Sequence, residues 1–121
     1  MYRGQTVSVV LPAYNEAEHV GSVIESLPAF VDRVYAIDDC STDGTWDVIR
    51  EYATVGEAST ELTAAQTDQN AEVMLSDGHG GEFPTVVPVQ HAVNQGAGGA
   101  LKTGYLLSAR DGMDTTVTID A

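Results

Sequence analysis

The sequence is poor in cysteine and in long apolar runs, and each shortage excludes a class of protein. Its 121 residues include a single cysteine, Cys40, which excludes an internal disulfide and agrees with a reducing cytosol. No apolar run approaches the roughly 20 residues of a membrane-spanning helix. The first residues also lack the basic flank, apolar stretch and cleavage site of a secretory signal. We therefore expect a cytoplasmic protein.

Basic residues are scarce as well. Lysine and arginine number 5 against 18 aspartates and glutamates, which gives a net charge of -13 and a pI near 4.1. Such a field repels nucleic acid and anionic lipid, so we expect no nucleic-acid partner. Abundant acid with few lysines is typical of proteins from salt-loving organisms, in which it maintains solubility. The alternative is a docking surface for a cationic partner.

The apolar pattern alternates between strand and helix. Hydrophobic residues make up 43% of the chain, enough for one domain with a core, and we assign residues 1–121 to a single domain. Strands are predicted at 7–11, 34–37, 86–90 and 116–119, and helices at 15–27, 45–52 and 100–109. This order predicts an α/β fold with about four mostly parallel strands and helices on both faces, a Rossmann-like arrangement.

Two of these helices carry specific expectations. The first should begin at Asn15 as N-cap, with Glu18 three residues on. The third should bury the stripe formed by Leu101, Tyr105 and Ala109.

Residues 53–83 interrupt the pattern. They are rich in glycine, serine, threonine, glutamine and acids, and a structureless stretch of this length is uncommon in a compact domain. We interpret them as a mobile acidic insertion. The alternative is a lid or a partner-binding loop.

Polar and aromatic residues follow three of the predicted strands, at 12–14, 38–39 and 120. In parallel sheets a ligand lies beyond the carboxyl ends of the strands, so these residues predict a site. Side chains alternate along extended chain, so that only one of Asp38 and Asp39 points at the ligand while the other is free to cap the turn. Tyr14 at the neighbouring strand end has a ring that could stack on a base.

Other signals are weaker. The glycine-rich segment 96–101 suggests a dinucleotide turn, but Leu101 occupies the place of the third glycine. Lys102 in the first turns of the following helix could approach diphosphate oxygens, and a solvent-facing position is equally compatible with the sequence. His19, His79 and His91 lack the spacing of a zinc site.

Four segments resemble, in order, the motifs of family 2 glycosyltransferases. They are residues 7–16 (VSVVLPAYNE), 37–45 (IDDCSTDGT), 94–105 (NQGAGGALKTGY) and 119–121, the start of the Asp-x-Asp metal motif. The likeness is closest to the branch that charges polyprenyl (dolichyl-type) phosphates with a hexose. Cys40 stands where this family usually has glycine or asparagine.

The resemblance implies a GT-A fold and the nucleotide-binding half of an inverting hexosyltransferase. It implies a nucleoside-diphosphate sugar donor (UDP or GDP), a polyprenyl phosphate acceptor, and Mg²⁺ or Mn²⁺ at Asp120 on the diphosphate. Asp39 would be the main base contact. With the strand-end and glycine-rich segments included, the expected nucleotide-binding residues are Pro12, Ala13, Tyr14, Glu16, Ile37, Asp39, Lys102 and Asp120.

In the family, the second metal-motif acid, the catalytic base and the acceptor site follow these segments. The resemblance therefore implies that they lie beyond residue 121, together with any attachment to the inner face of the plasma membrane. We expect residues 1–121 alone to have little or no transfer activity. A non-catalytic binding or assembly module with the same fold is the alternative.

Overall fold

The structure is a computed structural model that describes residues 1–53, 71–73 and 84–120. The predicted mobile acidic insertion, residues 53–83, lies almost wholly outside the described residues. The elements are β1 (Val7–Ala13), α1 (Val20–Glu25), β2 (Arg33–Asp38), α2 (Thr45–Tyr52), β3 (Ala71–Val73), β4 (Thr85–His91), α3 (Gly96–Arg110) and β5 (Thr115–Thr118). Among the described helices, none is long and apolar enough to cross a membrane.

The strands form one sheet in the order β3-β4-β2-β1-β5. β1 pairs in parallel with β2 and β5, and β2 pairs in parallel with β4. The predicted α/β class and its parallel strands are confirmed. Strand β3, which pairs antiparallel to β4 at the edge, was not predicted because three residues are too few to show a period of two.

Both faces of the sheet are buried, which explains the continuous apolar runs of β1 and β2. Val9 and Leu11 of β1 pack with Ile24 of α1 and Ile49 of α2 on one face. Val10 of β1 points to the other face, where it joins the apolar cluster that includes Leu107 of α3. The sheet thus separates α1 and α2 from α3.

Helix α1 is shorter than predicted. It begins at Val20 with His19 as N-cap, and Asn15 is not its cap. Asn15 instead has φ +53, and its side-chain Oδ1 accepts a hydrogen bond from the Thr42 amide at 2.8 Å. Because Asn tolerates the left-handed region and bonds readily to nearby backbone, a loop contact replaces the expected cap.

Helix α3 begins earlier than predicted and buries a different face. Its buried residues include Ala100, Gly104 and Leu107, whereas Tyr105 is 46% exposed and Ala109 is exposed. A Cβ on Gly104 would lie 2.3 Å from a methyl carbon of Val10, so the backbone of the helix lies directly against the sheet at this glycine. Leu101 of the predicted stripe packs against this core, but Tyr105 and Ala109 are exposed, so the stripe as a whole does not mark the buried face.

Asp111, which directly follows α3, forms hydrogen bonds with β2 near the amino-terminal ends of the strands. Its Oδ2 accepts hydrogen bonds from the Tyr35 hydroxyl at 2.6 Å and from Arg33 at 3.0 Å, and its Oδ1 accepts one from Arg110 at 2.9 Å. Burial raises the pKa of Asp111, but the bonds from Arg110 and Tyr35 and the arginine charges outweigh burial and hold this pKa below its ordinary value. Burial likewise raises the pKa of Tyr35, with a further contribution from Asp111.

This depressed pKa predicts a loss of stability in acid. A carboxylate whose pKa is lower in the folded than in the unfolded state stabilises the fold above the unfolded pKa, and loses that effect as pH falls through the folded pKa. We expect Asp111→Asn to lower the free energy of unfolding at pH 7 by about 1 kcal/mol, a modest value because the group is partly open to water. The difference between wild type and variant should shrink below about pH 4 in urea denaturation. A constant difference from pH 7 to 2 would contradict this assignment.

Candidate nucleotide-binding site

A cavity opens at the carboxyl edge of the sheet, where β1 and β2 end. Its volume is about 320 Å³. The end of β1 and the chain segments that follow β1, β2 and β5 form its wall together with the first turns of α3. The lining residues, which define the carboxyl-edge cavity, are Pro12, Ala13, Tyr14, Glu16, Asp39, Ala97, Ala100 and Asp120.

Most of the residues predicted to bind a nucleotide line this cavity, and two do not. Ile37 is fully buried between the sheet and α3, close to Gly104. Lys102 is exposed and lies outside the cavity lining. The structure adds Ala97 and Ala100, which sequence reasoning missed. Their signal was the run of small residues at 96–100, which lets the start of α3 approach the strand ends closely.

Tyr14 presents its ring at the cavity, with 47% of its surface exposed. The position of the loop that carries it is set by reciprocal bonds with the turn after β2. The Ser41 hydroxyl accepts a hydrogen bond from the Asn15 amide at 2.8 Å, while Asn15 accepts one from the Thr42 amide. These bonds explain why hydroxyl residues follow the second strand: they hold the loop that carries the aromatic ring.

The same turn also holds Glu16. Thr45, fully buried at the start of α2, accepts a hydrogen bond from the Glu16 amide at 2.9 Å. Asp43 bonds to the Thr45 hydroxyl and accepts a 3.3 Å hydrogen bond from the Ala17 amide. The bond from Thr45 lowers the pKa of Asp43, so this carboxyl stays ionised as an acceptor. Two loops of the cavity wall are therefore joined by side-chain-to-backbone bonds.

Asp38 and Asp39 point in different directions, as their alternation along the chain predicts. Asp38 is fully buried, and its Oδ1 accepts a hydrogen bond from the Ser41 amide at 3.2 Å, within the turn. Asp39 lines the cavity with 4% of its surface exposed. Its carboxylate accepts hydrogen bonds of 2.8 Å from the amides of Gln95 and Gly96. Asp39 therefore ties the end of β2 to the start of α3.

Cys40 has φ +62, in the left-handed region that favours glycine and asparagine. This conformation explains why a family of similar sequences would use those residues here. The side chain is partly exposed, and its thiol donates a hydrogen bond to the Ala92 carbonyl at 3.4 Å.

The charge of the cavity restricts what it can bind. Glu16, Asp39 and Asp120 line it, and no lysine or arginine is among the described residues that do so. An anionic diphosphate would meet repulsion here unless a cation accompanied it. Within the described residues no three histidine, cysteine or acidic side chains are grouped closely enough to hold a metal by themselves. The exposed Asp120 carboxylate is a suitable hard ligand for a divalent cation that also binds phosphate oxygens.

Comparison with known proteins agrees with the strand-end motifs. The model of the family described as Glycosyl transferase family 2 matches residues 8–121. A UDP-N-acetylglucosamine--dolichyl-phosphate N-acetylglucosaminyltransferase from Methanococcus voltae is 28% identical over 116 residues, which cover 95% of this chain and 40% of that protein. A glucosyl-3-phosphoglycerate synthase from Mycolicibacterium smegmatis is 54% identical over 46 residues, 35% of this chain and 15% of that protein. The chain thus spans less than half of the length of either relative. No solved structure matches it significantly.

Proposed function

Because this chain belongs to glycosyl transferase family 2, we propose that its carboxyl-edge cavity binds the nucleotide of a nucleoside-diphosphate sugar. The bound donor then delivers a hexose to an acceptor, with inversion at the anomeric carbon. The main support for the proposal is that Tyr14, Asp39 and Asp120 line one cavity at the strand ends. Ligands of open α/β sheets bind at this edge.

Each of these side chains has a distinct part in the proposed site. The exposed ring of Tyr14 offers a face for stacking a base. Asp39 supplies a carboxylate that accepts a hydrogen bond from the base edge. Asp120 lies on the opposite side of β1 from Asp39, since β5 and β2 flank that strand, and this places it toward the ribose and diphosphate.

A divalent cation, Mg²⁺ or Mn²⁺, fits this set of donors. Asp120 would hold it together with the diphosphate oxygens, since carboxylate and phosphate oxygens are the ligands that hard cations prefer. The cation supplies positive charge for a leaving diphosphate. The chain's own residues bind the base and orient the donor.

The acceptor is proposed to be a polyprenyl phosphate, at the cytoplasmic face of a membrane. The support is the name of the Methanococcus voltae relative, which acts on dolichyl phosphate and aligns with 95% of this chain. The net charge of -13 makes residues 1–121 a poor match for anionic lipid, so contact with a membrane would have to come from elsewhere in the protein.

Nucleotide binding is tested by thermal denaturation in high salt, which screens the negative charges. UDP or GDP with Mn²⁺ at 100 times its dissociation constant should stabilise the fold by about 2.7 kcal/mol and raise Tm by several degrees. Removing the cation with EDTA should reduce the shift strongly, because the acidic cavity then repels the diphosphate. NAD serves as the control for a dinucleotide site and should give no shift. A folded sample whose Tm responds to no nucleotide would contradict the proposal.

A further inference from the structure

His91, the last residue of β4, is a buried titratable residue with bonds at both ring nitrogens. It is 1% exposed, its Nδ1 lies 2.8 Å from Asp39 Oδ1, and its Nε2 lies 2.8 Å from Thr103 Oγ1. The Thr103 hydroxyl in turn lies 3.1 Å from the Gly99 carbonyl of α3, to which it can donate. The ring thus links the end of β2 to the first turns of α3, behind the cavity wall.

The Asp39 carboxylate has few acceptor positions left. An ionised carboxylate offers about four lone-pair sites, two on each oxygen. Oδ1 takes hydrogen bonds from His91 and from the Gln95 amide, and Oδ2 takes one from the Gly96 amide. Among the residues that the structure describes, this leaves one acceptor site, on Oδ2, for a ligand in the cavity that Asp39 lines.

We propose that His91 is a positioning residue that occupies Asp39 Oδ1, so that the carboxylate presents a single acceptor to the base and the site selects uracil over guanine. This inference rests on the proposed function. Uracil offers one ring N–H between two carbonyl groups, and one acceptor satisfies it. Guanine offers adjacent ring and amino N–H donors that need both carboxylate oxygens. One of its donors would stay unpaired, which reduces affinity by about tenfold to a hundredfold.

The ring of His91 fixes this arrangement from behind. With the Asp39–His91 and His91–Thr103 bonds in place, the carboxylate cannot rotate without leaving a buried donor unpaired. Removal of the ring nitrogens removes this restraint, so that the carboxylate can turn and present both oxygens to the cavity. This favours a base with two donors relative to a base with one.

The test measures dissociation constants of UDP, GDP and CDP with Mn²⁺ in the wild type and three variants. The wild type should bind UDP at least tenfold more tightly than GDP, and CDP more weakly than UDP because cytosine has an acceptor at the ring position of the uracil N–H. His91→Phe keeps an aromatic ring but loses both nitrogens. This variant should bind UDP about tenfold more weakly, and the ratio of its UDP and GDP dissociation constants (the UDP/GDP ratio) should move toward one. His91→Asn, which can still donate to Asp39, should keep most of the ratio. Tyr35→Phe, which loses a partly buried bond to Asp111 at the opposite end of the strands, should leave the ratio unchanged.

The outcomes separate this inference from the proposed function. If no nucleotide binds to the folded wild type, the proposed function is wrong. If nucleotides bind but GDP equals or exceeds UDP, the inference about Asp39 is overturned while the nucleotide site stands. An unchanged ratio in folded His91→Phe would show that His91 serves the fold alone. If His91→Phe does not fold, His91→Leu, which also lacks a donor to Asp39, carries the same test: a narrowed ratio supports the proposal, and an unchanged ratio overturns it.

Discussion

The substitution Asp39→Ala should abolish measurable nucleotide binding and lower the free energy of unfolding by about 3 kcal/mol. The substitution removes the acceptor proposed for the base. It also leaves His91 and the amides of Gln95 and Gly96 without the carboxylate to which they are bonded. The two effects are measured separately, by nucleotide titration at a temperature where the variant is folded and by urea denaturation.

Asp38→Asn is the matched control, because it changes the neighbouring buried carboxylate that does not line the cavity. The amide keeps an oxygen to accept the bond from Ser41 and gives up the long 3.5 Å bond from Gln90 Nε2, so nucleotide affinity should stay within about twofold of wild type and stability should change little. The same pair of variants distinguishes a donor-binding domain from a non-catalytic assembly module. A non-catalytic assembly module would keep its partner binding in Asp39→Ala. If Asp39→Ala bound nucleotide as tightly as the wild type, the proposed site would be contradicted.

The second large effect is expected at Gly104, where α3 touches the sheet. A Cβ there would lie 2.3 Å and 2.8 Å from the two methyl carbons of Val10 and 3.0 Å from Ile37 Cδ1. Real side chains do not approach so closely, and the buried strands β1 and β2 have little room to move. We expect Gly104→Ala to lower the free energy of unfolding by about 3 kcal/mol, at the upper end for overpacked cores.

Gly98 provides the control in the same helix, because a Cβ there would meet nothing within 4 Å. Gly98→Ala should stabilise the protein by about 0.5–1 kcal/mol through the helix propensity of alanine. Since both variants exchange glycine for alanine within one helix, the difference between them in urea denaturation reports chiefly the close contact with Val10 and Ile37. Equal stability of the two variants would show that α3 does not pack on the sheet as described.

The structure also shows which sequence signals could mislead. Predictions from large apolar residues placed Tyr105 on the buried face of α3, but the helix packs through Gly104, whose lack of a side chain permits the approach. The predicted cap at Asn15 failed for a related reason. A residue that accepts bonds from nearby backbone fits a helix start and a loop contact equally well, and only the position of Thr42 decides between them.

The sequence by itself determined the fold class, because buried parallel strands must be apolar along their whole length and the runs at 7–11 and 34–37 show it. It also determined that Tyr14, Asp39 and Asp120 would meet, since the carboxyl ends of parallel strands share one edge. Tertiary structure alone decided that Ile37 faces the core, that Lys102 stays outside the cavity, and that His91 stands behind Asp39. The physical reason is that helix orientation and hydrogen bonds between distant segments depend on how elements pack, which no local period in the sequence encodes.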